Sequence, residues 1–383
     1  MRLASARAAL SSSVTISPGS GATNVGLDAP VVVATNAGYV RGVRVVATTG
    51  ARITGALAPS WTSWWSNTAL APGTTYQVSA RVVDSDGVTA ATVSSTFQTV
   101  VPGVTVQARV FPSEGMTVGV GQPIVVRFDH AITDDAARTS VVRHFTLEGT
   151  QRVPGGWHWF SAYELHFRPA ALWPAGEQVT LTSNLDGWNA GGGIWGSGSQ
   201  RVHFTIGDAH VAIANLATHV MTVSTNGHTI ATYPFSGGRD QYPTMNGTHL
   251  VMDRQYAVHM VSSSNGIPVN SPDGYDETVY YDVHISDSGE YVHAAPWSVS
   301  SQGRTNVSHG CINLSDANAT TFYNYSGVGD IVVVTGGPRA PELGDHGVMD
   351  WDTPSDQWTA AVVRSTARPA TAHATAVGAV HAR

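Results

Sequence analysis

The chain has 383 residues and a formal net charge of −7, with 42% hydrophobic and only 12% charged residues, 40 glycines and 19 prolines. That length exceeds one ordinary core and divides into about three domains, while scarce charge and abundant turn formers favour short strands, a mainly β protein. Net negative charge argues against nucleic acid as a partner, no window reaches the roughly 18 apolar residues of a membrane span, and a single cysteine excludes an internal disulfide.

The opening MRLASARAALSSSVTISPGSG carries two arginines but lacks the apolar run of a secretory signal. Two segments then look alike: PGSGATNVGLDAPVVV from Pro18 and PSEGMTVGVGQPIVVRF from Pro112, an offset of about 94 residues. LAPGTTYQVSARVVD and LWPAGEQVTLTSNLD each place a Pro/Gly turn before alternating apolar and polar residues. The repeat predicts two domains, residues 12–100 and 103–207, each of several short strands. Alternation over sequential strands is the pattern of a β-sandwich and resembles bacterial immunoglobulin-like modules.

From residue 208 the strands lengthen, and the Asn226-Gly227 pair is a strong hairpin signal. A third, β-rich domain is expected over 208–336, with Ser315 as N-cap of a short helix, Asp316 favourable to its dipole and Gly327 as its stop. A tryptophan-containing extension, 337–365, is expected to pack back on that third domain, and 366–383 has no apolar period and reads as disordered.

The chemistry concentrates in GEYVHAAPW (289–297) and TNVSHGCINLS (305–315). A cysteine nucleophile has a free pKa of about 8.5 and needs an imidazole in reach to be activated near neutral pH. Cys311, with His293 eighteen residues earlier, supplies such a pair. Gly310 lets the chain turn so that the N–H groups of Gly310 and Cys311 face an oxyanion. Two other readings compete: a zinc site, which lacks a second spaced ligand pair, and a packed cysteine beside an ordinary strand-end histidine.

His-x14-Ser-His-Gly-Cys-x-Asn resembles the active-site signature of the YkuD-type L,D-transpeptidases, and the resemblance extends over about 208–360, including YPTMNGTH and GIPVNSPDGY. Two immunoglobulin-like domains ahead of such a domain resemble its mycobacterial and actinobacterial subgroup. The resemblance implies Cys311 as nucleophile, His293 as general base oriented by the main-chain carbonyl of Ala294, and Ser308, His309 and Gly310 as support for the loop. It further implies Tyr275 as a lid residue shaping the oxyanion and substrate pocket, Ser288, Gly289 and Asn313 as stem-peptide contacts, and Met260 and Trp297 as apolar walls.

The implied reaction is 3–3 cross-linking of peptidoglycan stems. The thiolate attacks a donor tetrapeptide, D-alanine leaves, and an acceptor amine resolves the thioester. Carbapenems are implied as acylating inhibitors, an extracytoplasmic setting as the location and a monomer as the working state; no cofactor and no metal are implied. The alternative from another class is a wall-binding or adhesive protein that retains the fold without turnover.

Overall fold

The computed structural model describes residues 2–366. Within them, three clusters of buried apolar side chains organise the chain. Helix α1 (Arg2–Ser12), which the sequence reading did not anticipate, buries Leu10 in the first cluster. Two four-stranded sheets supply most of the rest of that cluster. Strand Thr75–Val83 shows the cause: its alternate residues Tyr76, Val78, Ala80 and Val82 are all buried, as a two-residue period requires.

The second cluster lies between strands that include Ile124–Phe128 and Glu164–Pro169 on one side and Gln178–Asn184 and Ser199–Ile206 on the other. Both prolines that head the sequence repeat, Pro18 and Pro112, follow cis peptide bonds.

The third cluster belongs to the segment carrying the cysteine. In chain order this segment runs β1 (His210–Asn215), β2 (Val220–Thr225), β3 (His228–Pro234), β4 (Gly247–Leu250), β5 (Asp253–Val261), β6 (Asp276–Ser286), β7 (Glu290–Ala294), β8 (Ile312–Leu314), helix α2 (Asp316–Tyr325) and β9 (Ile331–Thr335). One sheet has the order β3-β2-β1-β9-β4 and the other β5-β6-β7-β8. The β2–β3 turn places Asn226 and Gly227 at φ of 50° and 79°, the left-handed region that an Asn-Gly hairpin uses.

On β7, Val292 and Ala294 enter the core beside Ile312 and Leu314 of the parallel β8. Alternation turns Tyr291 and His293 to the opposite face of the sheet. Helix α2 begins where Ser315 Oγ accepts the Asn318 N–H at 3.3 Å, and it ends at Tyr325, two residues before Gly327. Ala319 and Phe322 hold it on the core.

The C-terminal extension behaves differently from the expectation. Its first part does hold to the third segment: Asn246 Nδ2 donates to the carbonyls of Gly337 and Arg339, both at 2.7 Å. Its tryptophans pack elsewhere: Trp351 Nε1 donates to Gly121 O at 2.8 Å, and Trp358 lies against His158 and Phe160. Strand β10 (Thr359–Ser365) then pairs with Val153–Trp159 and with Phe145–Gly149, joining both sheets of the second sandwich into nine strands. The reason is backbone accounting: two strands otherwise left with open edges find their partners in β10, and Val363 becomes fully buried between them. From residue 367 onward the expected tail lies outside the described residues.

A charge cluster sits where the extension meets both neighbours. His166 bonds Glu164 at 2.6 Å and Asp350 at 2.8 Å; burial opposes its charge, yet Asp350 and Glu164 outweigh burial and raise its pKa. His346 bridges Glu164, at 3.2 Å, and Asp287, and these partners push it up to about 9.

Candidate active site

Cys311 sits half-buried at the end of a tight turn, immediately before β8. Gly310 in that turn has φ of 132°, which side chains disfavour, and a Cβ there would come within 3.4 Å of Glu290. Ser308 Oγ donates to the Cys311 carbonyl at 2.6 Å and accepts the Gly310 N–H at 3.1 Å, so one hydroxyl closes the turn on itself. Thr244 Oγ adds a bond to the Gly310 carbonyl at 2.7 Å. This arrangement corrects one expectation: the Gly310 N–H is spent on Ser308 and does not face an oxyanion, which leaves the Cys311 N–H as the candidate donor of the pair.

His293 lies on β7, in register with Asn313 of β8. Its Nδ1 lies 2.9 Å from the Ala294 carbonyl. A carbonyl only accepts, so Nδ1 carries the proton and Nε2 keeps a basic lone pair. Burial holds the ring neutral, pushing its pKa down to about 4, against the smaller pull of the Ala294 carbonyl. Burial also pushes the Cys311 thiol up to about 12, opposed by the Tyr291 N–H and reinforced by Glu290. The resting pair is therefore thiol and imidazole, not thiolate and imidazolium. A thiol in that state must give up its proton to an acceptor as sulfur attacks.

Two cavities meet at the sulfur. The larger, about 580 Å³, is lined by Met260, Tyr275, Ser288, Gly289 and Cys311, among others. The smaller, about 160 Å³, is lined by His293, Trp297, Ser308, Asn313 and again Cys311. A nucleophile with space on two sides suits a reaction with two substrates. The Gly289 carbonyl lies 3.8 Å from Sγ.

His309 also lines both cavities but plays a different part from Cys311. Its ring sits between Tyr242 and Tyr275, at centroid distances of 5.1 and 4.9 Å. Its Nε2 accepts from Arg239 at 2.8 Å, and Arg239 pairs in turn with Asp273 at 2.6 Å. Burial, then Arg239, lower its pKa, which favours the uncharged ring between the two tyrosines. Ser262 ties down the segment that carries Tyr275: its N–H donates to the Tyr275 carbonyl at 2.9 Å while its Oγ accepts the Tyr275 N–H at 3.0 Å.

The bacterial Ig domain family matches residues 22–189, and the L,D-transpeptidase catalytic domain family matches residues 209–334. L,D-transpeptidase 2 of Mycobacterium tuberculosis is 38% identical over 347 residues, covering 91% of this chain and 84% of its own. The chain belongs to the L,D-transpeptidase family. L,D-transpeptidase 5 of the same species is 33% identical over 90% of this chain and 76% of its own length. Among solved structures, an LD transpeptidase in complex with imipenem superposes with a TM-score of 0.53 at 37% identity, over 61% of this chain and all of the other. L,D-transpeptidase 3 of Mycobacterium tuberculosis with a faropenem-derived adduct gives 0.52 at 36% identity, over 61% of this chain and 99% of the other.

This L,D-transpeptidase draws every site residue expected from its sequence around one locus, with differing parts. Ala294 contributes its carbonyl while its side chain enters the core. Asn313 is buried, and its amide donates to Ser298 Oγ at 3.3 Å. Trp297 stays over half exposed, its ring 6.3 Å from that of His293. Sequence reasoning missed Glu277 in the smaller cavity, and Tyr242, Glu290 and Arg339 in the larger. Tyr242 had a signal, since it opens the YPTMNGTH segment; Arg339, in the extension, had none.

Proposed function

We propose that this L,D-transpeptidase joins peptidoglycan stem peptides 3–3 through a thioester on Cys311. The observation that carries the reading is one cavity lined by both a half-buried thiol and an imidazole kept neutral and aimed by a main-chain carbonyl. Cys311 Sγ attacks the carbonyl between the third-position diamino acid and the terminal D-alanine, and its proton passes to His293 Nε2. The Cys311 N–H faces the resulting oxyanion. Collapse breaks the peptide bond; His293 returns the proton to the departing D-alanine amine, leaving the acyl group on sulfur. The acceptor's side-chain amine then attacks the thioester, loses a proton to His293, and the sulfur leaves and takes that proton back. Water in place of the amine gives hydrolysis.

In this reading Ser308, Gly310 and His309 keep the loop in place, while Met260, Tyr275, Ser288, Gly289, Asn313 and Trp297 bound the stem peptides. The two immunoglobulin-like units, 12–100 and 103–207, serve as spacers that carry the catalytic domain to the wall polymer outside the cytoplasm. The enzyme works as a monomer. No helix among the described residues is long and apolar enough to cross a membrane.

The same thiol opens the strained ring of a carbapenem, and the bound imipenem and faropenem-derived adduct of the similar structures support this. The test is release of D-alanine from a purified tetrapeptide stem. The wild-type chain releases it, Cys311→Ala does not, and His293→Ala falls by roughly 10²- to 10⁴-fold. Binding of the stem by all three with no release by any would instead favour the wall-binding, adhesive reading.

A further inference from the structure

We propose that Arg339 reads a free carboxylate on the donor stem beside the acylation site. The inference rests on the transpeptidase reading above and extends it to specificity.

The chain contains no lysine, and among the described residues lining the larger cavity Arg339 is the only arginine. It comes from the C-terminal extension, outside the segment 209–334 that matches the catalytic domain family. Two glutamates fix its fork. Nη1 donates to the buried Glu290 at 2.6 Å, and Nε and Nη2 donate to Glu342 at 3.0 and 2.8 Å. Glu290 is in turn fixed by the Met245 N–H at 3.0 Å. A guanidinium has five N–H donors. Three are engaged at short range, and the contact from Nη2 to Ser288 Oγ, at 3.5 Å, is at the limit of a hydrogen bond.

The fork is therefore held in place but not saturated, and its position relative to the nucleophile is set. Ser288 is followed by Gly289, whose carbonyl lies 3.8 Å from Cys311 Sγ. The neighbouring carboxylates do not cancel the cation fully. Glu342 is 57% exposed and screened by water, and burial pushes the Glu290 carboxyl up, against the pull of Arg339. A planar, pre-positioned guanidinium selects a carboxylate over its amide, because the amide brings no charge and its NH2 group meets further donors. Two carboxylates of a tetrapeptide donor belong to the residues that flank the scissile bond: that of the terminal D-alanine and that on the side chain of the diamino acid.

The experiment measures kcat/KM for D-alanine release by the full chain on three donors: the free acid, the terminal amide and the side-chain amide. The wild type is expected to favour the free acid over one amide by roughly tenfold to a hundredfold, the range of a hydrogen-bonded charge. Arg339→Gln then loses a similar factor on the free acid and less than about threefold on that amide. Arg339→Lys keeps a positive charge opposite Glu290 and is expected to fall between the two. Selective loss against the terminal amide assigns the D-alanine carboxylate, and selective loss against the other assigns the side-chain carboxylate. Equal loss on all three donors means that Arg339 merely braces Glu290 and the extension, and overturns the proposal, as does a wild type that fails to discriminate. Release from no donor by the wild type would instead remove the transpeptidase reading itself.

Discussion

The active-site face of β7 and the junction between the extension and its neighbours each hold a histidine, His293 buried and His346 about 40% exposed, and they treat it in opposite ways. His293 has the Ala294 carbonyl as its hydrogen-bond partner and no carboxylate bonded to it, so burial prevails and its pKa falls to about 4. His346 lies between Glu164 and Asp287, so the carboxylates prevail and its pKa rises to about 9. Burial without a charged partner keeps an imidazole neutral, which a proton acceptor requires; two flanking carboxylates make a part-exposed one a fixed cation, which suits an electrostatic clasp. The partner decides the role.

The largest expected effect breaks the comparison by function. His293→Ala lowers D-alanine release by roughly 10²- to 10⁴-fold, the usual worth of a positioned base, whereas His346→Gln stays within about threefold of wild type in the same assay. Comparable losses from both would erase the distinction.

The next largest concerns what the junction holds. Val363 is fully buried in β10. Val363→Ala should cost about 2 to 4 kcal/mol in denaturant unfolding, as core truncations do. Acylation of Cys311 by a carbapenem should keep its rate, since β10 packs on the second sandwich.

On the site side, Ser308→Ala strips partners from the Cys311 carbonyl and the Gly310 N–H at once. It should cost about 1 to 3 kcal/mol in the same unfolding experiment, and unlike Val363→Ala it should slow acylation.

The smallest effect is the most discriminating in sign. His346 is raised above its unfolded value of about 6.5, so its stabilisation is fully present below that pH and is lost as pH climbs through about 9. His293 is depressed, so it costs stability as pH falls from about 6.5 toward 4, where the unfolded chain binds a proton that the folded ring refuses. Melting temperatures from pH 4 to 10 should decline at both ends. His346→Gln should flatten only the alkaline side and His293→Gln only the acidic one; the reverse assignment would refute the pairing.

Local features were legible in the sequence. The Asn226-Gly227 turn, the Ser315 cap and the alternation that buries Val292 and Ala294 each arise from neighbours within a few residues. The return of the chain after Cys311 to the strand of His293 was legible as well, because the spacing fits it, and β8 does run beside β7. What escaped depended on distant partners. Strand β10 looked like the end of an extension because its partners, Val153–Trp159, lie some two hundred residues earlier. The Gly310 amide looked free because the Ser308 hydroxyl that takes it is a matter of rotamer, not of pattern. Arg339 gave no sign because the glutamates that fix its fork come from two separate segments.

The most direct measurement is intact-protein mass spectrometry of the full chain, quenched in acid shortly after mixing with a tetrapeptide donor. The account predicts an increment equal to the donor minus D-alanine, carried by the peptide containing Cys311 and missing from Cys311→Ala. An increment of the whole donor, an adduct that survives in Cys311→Ala, or no adduct while a known L,D-transpeptidase acylates in parallel, would contradict it.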